Sequence, residues 1–566
     1  MILRIWLMRG MYYMSASDKK KFRKEQTAAI LTEKQKQEQE EAKKLKIYTV
    51  SFVAVMIAVV VITLAVLCVR AVNNSGIIQK NTVAAVIGDR ELNSVELGYY
   101  YNDAVNSYYN EWYETYQDHT NTYLQALGLD VTKPLNEQVQ DEETGKTWDQ
   151  YFVDQAIENA KSDFALYDLA KAENFQMPSE QQTTLDNMAN NLGTYATLYG
   201  YSSADQYLRA MYGYGADADS YLAYNERSAI ADAYLHAHED SLKYEDADIR
   251  AYEKDNVNKY NSYTYSSAYL SYTDFRQGGT EDAEGNKTYT EEENEAARVA
   301  LKAAAEKMAA ATTLAELKEI SNTIEINDES DLAVNDSTNV LHSTLNATLA
   351  DWLASADRKE GDIAAIPNTS TTKDADGNDK TVVNGYYVAY FGSMTDNTKK
   401  MANVRHLLVE FDGGTENEET GEKEYTEEEK SAAKKEADGY LKTWKEGAAT
   451  EESFIELVKE HSDDSSAEDG GLFEDINPDS QYVLNFRNWA IDPQRKVGDA
   501  EVIETEYGYH VMYYVGDDDM SYRDYMITNE MRAADQEKWY QGVLEPITTA
   551  VKDTSKMNLD IVLSAA

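Results

Sequence analysis

Val404-Arg-His406-Leu-Leu-Val409 opens, and Gly508-Tyr509-His510-Val511 closes, a stretch of about 115 residues whose reading decides the fold. Between them stand Ser462-Asp463-Asp464-Ser465-Ser466-Ala467, Gly470-Gly471-Leu472 and Phe486. Upstream the same pattern recurs with a period near 136 residues, and an internal repeat governs how the rest of a chain is read. Gly278-Gly279-Thr280 with Tyr289-Thr290-Glu291-Glu292-Glu293 returns as Gly413-Gly414-Thr415 with Tyr425-Thr426-Glu427-Glu428-Glu429. Trp352 with Gly361-Asp362 matches Trp489 with Gly498-Asp499, and Gly385-Tyr386-Tyr387-Val388 matches Gly508-Tyr509-His510-Val511. Two tandem copies, residues 260–395 and 401–517, each read as strand, acidic hairpin or loop, long helix, short helix, variable loop and final strand. That is an α+β pattern rather than alternating βαβ units. The acidic run 374–379 is expected to be a plain hairpin turn, because the twelve-residue calcium loop with its closing Glu is missing.

Before the repeats, residues 83–97 (VAAVIGDRELNSVEL) read as a short strand, a turn at Gly88 and a helix capped by Asn93 or Ser94. From residue 96 to about 248 proline occurs only at Pro134 and Pro178, and Phe152, Ala156, Ile157, Ala160 and Phe164 keep helical spacing. A helical domain is expected over 81–250. Its tyrosines (Tyr99, Tyr100, Tyr101, Tyr108, Tyr109, Tyr113, Tyr116) would form core and rim, or a surface for varied apolar partners. Residues 47–69 carry no charge for 23 positions, long enough to cross a hydrocarbon core of ~30 Å. Twelve Lys/Arg against six Asp/Glu in residues 1–46 put the N-terminus in the cytoplasm and the rest of the chain outside. A cleaved signal peptide would show a shorter apolar region of about 7–15 residues, and Leu67 before Cys68 lacks the small side chain of a lipidation site.

The chain has 566 residues and a net charge of −48, with 42% hydrophobic residues, so it builds real cores and repels nucleic acid. A single cysteine, Cys68, excludes a disulfide framework and a cysteine-based zinc site. His236 and His238 lie two apart, positions that do not face one another on a helix, so no metal site is expected there. No cofactor-binding motif is apparent.

The ordered series from His406 to His510 resembles the parvulin-type (PpiC/rotamase) peptidyl-prolyl cis–trans isomerases, whose domain opens on a His-[IL]-L-V strand and closes on a Gly-x-His strand. The 83–97 start, the helical region and a tail helix near residues 531–544 look like the chaperone part of PrsA- and SurA-type foldases. The resemblance implies a helical chaperone domain completed by residues 520–566, a degenerate parvulin-like first copy and a parvulin second copy. In the second copy it implies His406 and His510 as the paired active-site histidines and Asp464 as their acidic companion. Leu472, Tyr482 and Phe486 would line the proline pocket. The family's Gly-Gly-Asp-Leu-Gly stands here as Gly470-Gly471-Leu472-Phe473-Glu474, and Tyr482 takes a place often held by Met. The acidic stretch 412–429 would repel a phosphoserine.

In the first copy Ala268 or Tyr269 stands at the first histidine position and Tyr387 at the second, so both histidines are gone. The resemblance thus implies a foldase anchored in the cell membrane of a Gram-positive-type bacterium, which rotates X-Pro bonds of unfolded or nascent secreted proteins without a cofactor. Two alternatives are a holdase in which neither copy isomerises and a surface structural or adhesive protein built from foldase domains.

Overall fold

The computed structural model describes residues 15–116, 122–281, 286–327, 332–373, 377–416 and 423–559. The chain forms two compact units, one made of the residues up to Ser241 with those from Lys538 on, the other of Leu242–Glu537.

In the first unit a 60-residue helix, Ala16–Ser75, contains the uncharged stretch; it is the one helix among the described residues long and apolar enough to cross a membrane. It stops at Gly76, whose φ of +64° is the left-handed conformation that closes helices. Residues 83–97 differ from expectation by one element. After the turn at Gly88 the chain doubles back as a second strand, Arg90–Asn93, paired with Val83–Ile87, and Thr549–Val551 adds a third strand on the other side. Asn93 is the cap, since its Oδ1 accepts the N–H of Val95 (2.9 Å) and of Glu96 (3.1 Å).

Helices Ser94–Tyr116, Trp148–Ala172 and Ala218–Ser241 then pack on the sheet. Tyr99, Tyr100 and Tyr101 are fully buried in that core and Tyr109 nearly so, which assigns them to packing rather than to a partner surface. Burial obliges their hydroxyls to find partners. Tyr99 meets Ser220 (2.9 Å), Tyr100 donates to Asp163 (3.1 Å) and Tyr101 donates to the Leu559 carbonyl (3.3 Å). The side chains of Tyr113 and Tyr116 lie outside the described residues.

The second unit holds two four-stranded antiparallel sheets. One comprises β1 (Ser262–Ser271), β2 (Asn335–Leu341), β3 (Ile363–Lys373) and β4 (Asp379–Thr395); the other β5 (Lys400–Glu410), β6 (Leu472–Ile476), β7 (Ala500–Glu504) and β8 (Gly508–Ser521). Both run in the order second, first, fourth, third. The repeated motifs build the same devices twice. Thr290 and Thr426 cap the long helices Glu291–Ala309 and α1 (Glu427–Glu446), and Glu293 and Glu429 close the capping boxes. Each Glu also accepts a backbone N–H from the double glycine, Gly279 at 3.0 Å and Gly414 at 3.1 Å. Those glycines have φ near +80° and lie on a tyrosine ring: a Cβ would come within 2.8 Å of Tyr289 or 2.7 Å of Tyr425. At the other end Gly361 N–H donates to Phe391 O and Gly498 N–H to Tyr514 O, both at 2.9 Å. Residues 374–376 lie outside the described residues, and β3 and β4 pair as a hairpin from Lys373 and Asp379.

Arg523, 3% exposed and just after β8, ties the end of the second sheet to the residues flanking β1 and β4 of the first. Its guanidinium donates to Glu253, to Asn261 Oδ1 (2.9 Å) and to the Asp396 carbonyl (2.8 Å).

Candidate active site

Successive residues of a strand face opposite sides of its sheet. In β5 this sends Leu407 and Val409 towards α1 and α2 (Glu451–His461), where they pack with Phe454, Val458 and Val511, and leaves Val404, His406 and Leu408 on the other face. Register then sets His406 opposite Met512 and Leu408 opposite His510. The two imidazoles, diagonal neighbours, stack with centroids 5.0 Å apart and Nδ1 atoms 2.8 Å apart. Both are buried. The segment carrying Asp464 is stitched to β5. Ser462 Oγ accepts Leu408 N–H (3.0 Å), Asp463 N–H donates to Leu408 O (3.0 Å), and Asp463 Oδ2 accepts Glu410 N–H (3.0 Å). Asp464 itself caps a 3-10 turn by accepting Ser466 N–H at 2.8 Å, and its Oδ1 stands 3.5 Å from His406 Nε2.

The line continues on the far side, where Thr505 Oγ1 is 2.8 Å from His510 Nε2. With His406 Nε2–H directed at the Asp464 carboxylate, donors and acceptors alternate along the whole line. Thr505 O–H donates to His510 Nε2, His510 Nδ1–H donates to His406 Nδ1, and His406 Nε2–H points at Asp464. The electrostatics agree with it. The His406 hydrogen bond, aided by Ser466, holds the Asp464 carboxyl far below the usual range despite partial burial. Burial, with His406 beside it, pushes His510 down to about 3, so its ring stays neutral.

Against the histidines stands an aromatic wall. Phe486, from α3 (Leu484–Ala490), lies 5.3 Å from the His406 ring and 5.6 Å from His510; Phe473 lies 4.9 Å from His406. Tyr482 touches both, 5.3 Å from Phe473 and 5.6 Å from Phe486, and at 37% exposed it forms the open side. Leu472 is a correction. It pairs with Arg405, whose side chain reaches Glu451 at 2.8 Å, and alternation places Leu472 on that helix-bearing face. Phe473, one residue on, pairs with Val404 and takes the place in the pocket.

Thr505 was equally missed; its signal is a hydroxyl at the mouth of the tight turn Thr505–Gly508, where its N–H bonds Gly508 O at 2.9 Å. In the first sheet, counting back from the matched turns puts Ser267, opposite Ala389, where the second sheet has His406, which corrects Ala268 or Tyr269; Tyr387 stands where expected for His510. Among the described residues no group of three His, Cys, Asp or Glu is placed to hold a metal. His238 instead stacks on Trp539 at 3.7 Å.

Residues 406–516 match the PPIC-type PPIase (rotamase) domain, which marks this part of the chain as a parvulin-type peptidyl-prolyl cis–trans isomerase domain. Among solved structures, it is similar to the peptidylprolyl isomerase PrsA from Bacillus cereus, at 21% identity and TM-score 0.17 over 27% of this chain and 50% of that one. PrsA from Bacillus subtilis matches at 21% identity and TM-score 0.18, over 30% of this chain and 63% of that one. A SurA-like chaperone structure from Campylobacter jejuni matches at 21% identity and TM-score 0.16, over 26% and 50%. The chain thus spans about half the length of the Bacillus cereus protein. A search of curated proteins gave no match.

Proposed function

We propose that the chain is a membrane-anchored, extracytoplasmic peptidyl-prolyl isomerase and foldase, with the second sheet's domain, residues 401–517, as its working site. The helical domain over 81–250, completed by 520–566, is the chaperone part, and residues 260–395 form a parvulin-like copy without the histidines. The observation that carries the reading is the hydrogen-bonded line Thr505–His510–His406–Asp464 beside the aromatic wall.

The chemical task is to rotate an amide whose barrier of ~18–20 kcal/mol comes from C–N resonance. No covalent intermediate is needed. Phe473, Tyr482 and Phe486 grip the pyrrolidine ring. Asp464, held ionised, shapes the field at the carbonyl as resonance is lost, favouring the twisted state over either planar one. The buried histidines fix Asp464 and the Phe486 ring in place. Clients are unfolded or nascent secreted proteins with X-Pro bonds.

A holdase reading is favoured by one observation on the helical unit, where Tyr195, Leu198, Tyr199, Met211 and Tyr214 are exposed. NMR exchange of an unphosphorylated prolyl peptide separates the two. Acceleration by the parent that falls in Asp464→Ala and His406→Ala variants of unchanged fold supports the isomerase. No acceleration by the folded parent, with client protection retained, leaves the holdase.

A further inference from the structure

A cavity of about 750 Å³ begins where the aromatic wall ends. Tyr482 belongs to both: one side of its ring meets Phe473 and Phe486, and the residue also lines the cavity. The cavity walls carry four carboxylates, Glu474 and Asp475 on β6, Asp479 after it and Glu530 on the helix Tyr522–Leu544, against one ammonium, Lys259. Glu530 already holds Lys259 and accepts the Tyr260 hydroxyl at 2.7 Å, and Asp479 accepts the Tyr522 hydroxyl. The uncompensated charge therefore lies along residues 474–479, the side nearest Tyr482.

The backbone is bent to put it there. Asp475 has φ +57°, in the left-handed region that Asp tolerates better than most residues, and the bend is fixed by Asn403 Oδ1 accepting its N–H (2.9 Å) and Asn477 donating to its carbonyl (3.0 Å). Burial and the like charge of Asp518 raise Asp475 to about 6. Such a contact is relieved by a cation and worsened by another anion.

We propose that this cleft receives a lysine or arginine side chain of the client, a few residues from the proline held at Phe473 and Phe486. An extended cationic side chain suits it: the stem lies on tyrosine rings such as Tyr482 while the head meets Glu474 and Asp479. An acidic residue at the same place is repelled. The inference rests on the isomerase reading and narrows its substrates to prolines in basic surroundings.

The test uses the full chain in neutral detergent and three prolyl peptides differing at one position, two to four residues from proline, as Lys, Gln or Glu. Partly exposed ion pairs of a few tenths to 1 kcal/mol each give an expected preference of about three- to tenfold in kcat/KM for Lys over Glu. The preference shrinks at high salt and collapses towards one in the isosteric double variant Glu474→Gln, Asp479→Asn. Equal turnover of all three peptides overturns the proposal while leaving the isomerase reading intact. If none is turned over, the isomerase reading fails, and peptide binding followed by NMR line shifts decides for the cleft alone. Tighter binding of the Lys peptide, lost in the double variant, supports it; equal binding overturns it.

Discussion

Acidification tests the buried histidine line directly. His510 holds its proton only below about 3 when folded, against 6.5 for a free imidazole. Between those values the unfolded chain binds the proton and the native state does not, so stability present above pH 6.5 is lost as pH falls, at ~1.4 kcal/mol per pH unit. Moving from pH 6.5, where the unfolded imidazole is half protonated, to 4.5 should thus cost the second sheet roughly 2 kcal/mol through this residue. Asp464 adds nothing over that interval, because its carboxyl is ionised in both states until pH nears 3.8; below that its depressed folded value adds a loss of the same sign. The assay is native-state hydrogen exchange of β5 and β8 amides in the full chain, corrected for intrinsic rates, beside His510→Gln. The parent should lose roughly 2 kcal/mol more protection than the variant over those two pH units. Equal losses in parent and variant would refute a neutral, buried His510.

Three further substitutions probe other parts of the argument. Thr505→Val keeps the shape but removes the partner of His510 Nε2, and should lower β8 protection by about 1–3 kcal/mol, with Thr505→Ser restoring most of it. Arg523→Met removes one of the two cations on buried Glu253, leaving Arg250, and should cost about 1–3 kcal/mol, read from exchange in β1 and β5; adding Glu253→Leu should recover part of that loss. Gly471→Ala places a Cβ 2.2 Å from the His406 carbonyl at φ +66°, so it should displace β5, abolish isomerase activity and shift the His406 ring resonances.

What the sequence made legible was whatever repeats or keeps a period. The double-glycine motif and its Tyr-Thr-Glu-Glu-Glu partner stand out because a capping box and a left-handed glycine tolerate few substitutes. His406, Asp464 and His510 sit in the quoted motifs, and the structure brings them together beside Phe486 and Tyr482. Leu472 went wrong by one residue: where alternation decides, such a slip reverses the face. The missing aspartate of the glycine motif left that register unanchored. Thr505 stands outside every matched motif, and only the closed turn brings its hydroxyl to His510. The strand Arg90–Asn93 was hidden by the helix cap that immediately follows it. The tyrosines read as core or partner surface could be told apart only once Ser220, Asp163 and the Leu559 carbonyl appeared beside their hydroxyls.

The two sheets share their caps, their glycine turns, a long helix packed on one face and a short tryptophan-bearing helix on the other, and differ at two positions of that second face, where one carries two histidines and the other Ser267 and Tyr387. The frame that folds each sheet is therefore separable from the side chains that distinguish them. Ser267 and Tyr387 show that those positions accept other residues while the shared packing holds the sheet. The same partition makes the first sheet a ready host for engineering: histidines placed at positions 267 and 387 would enter a frame that already has the strand order their counterparts occupy.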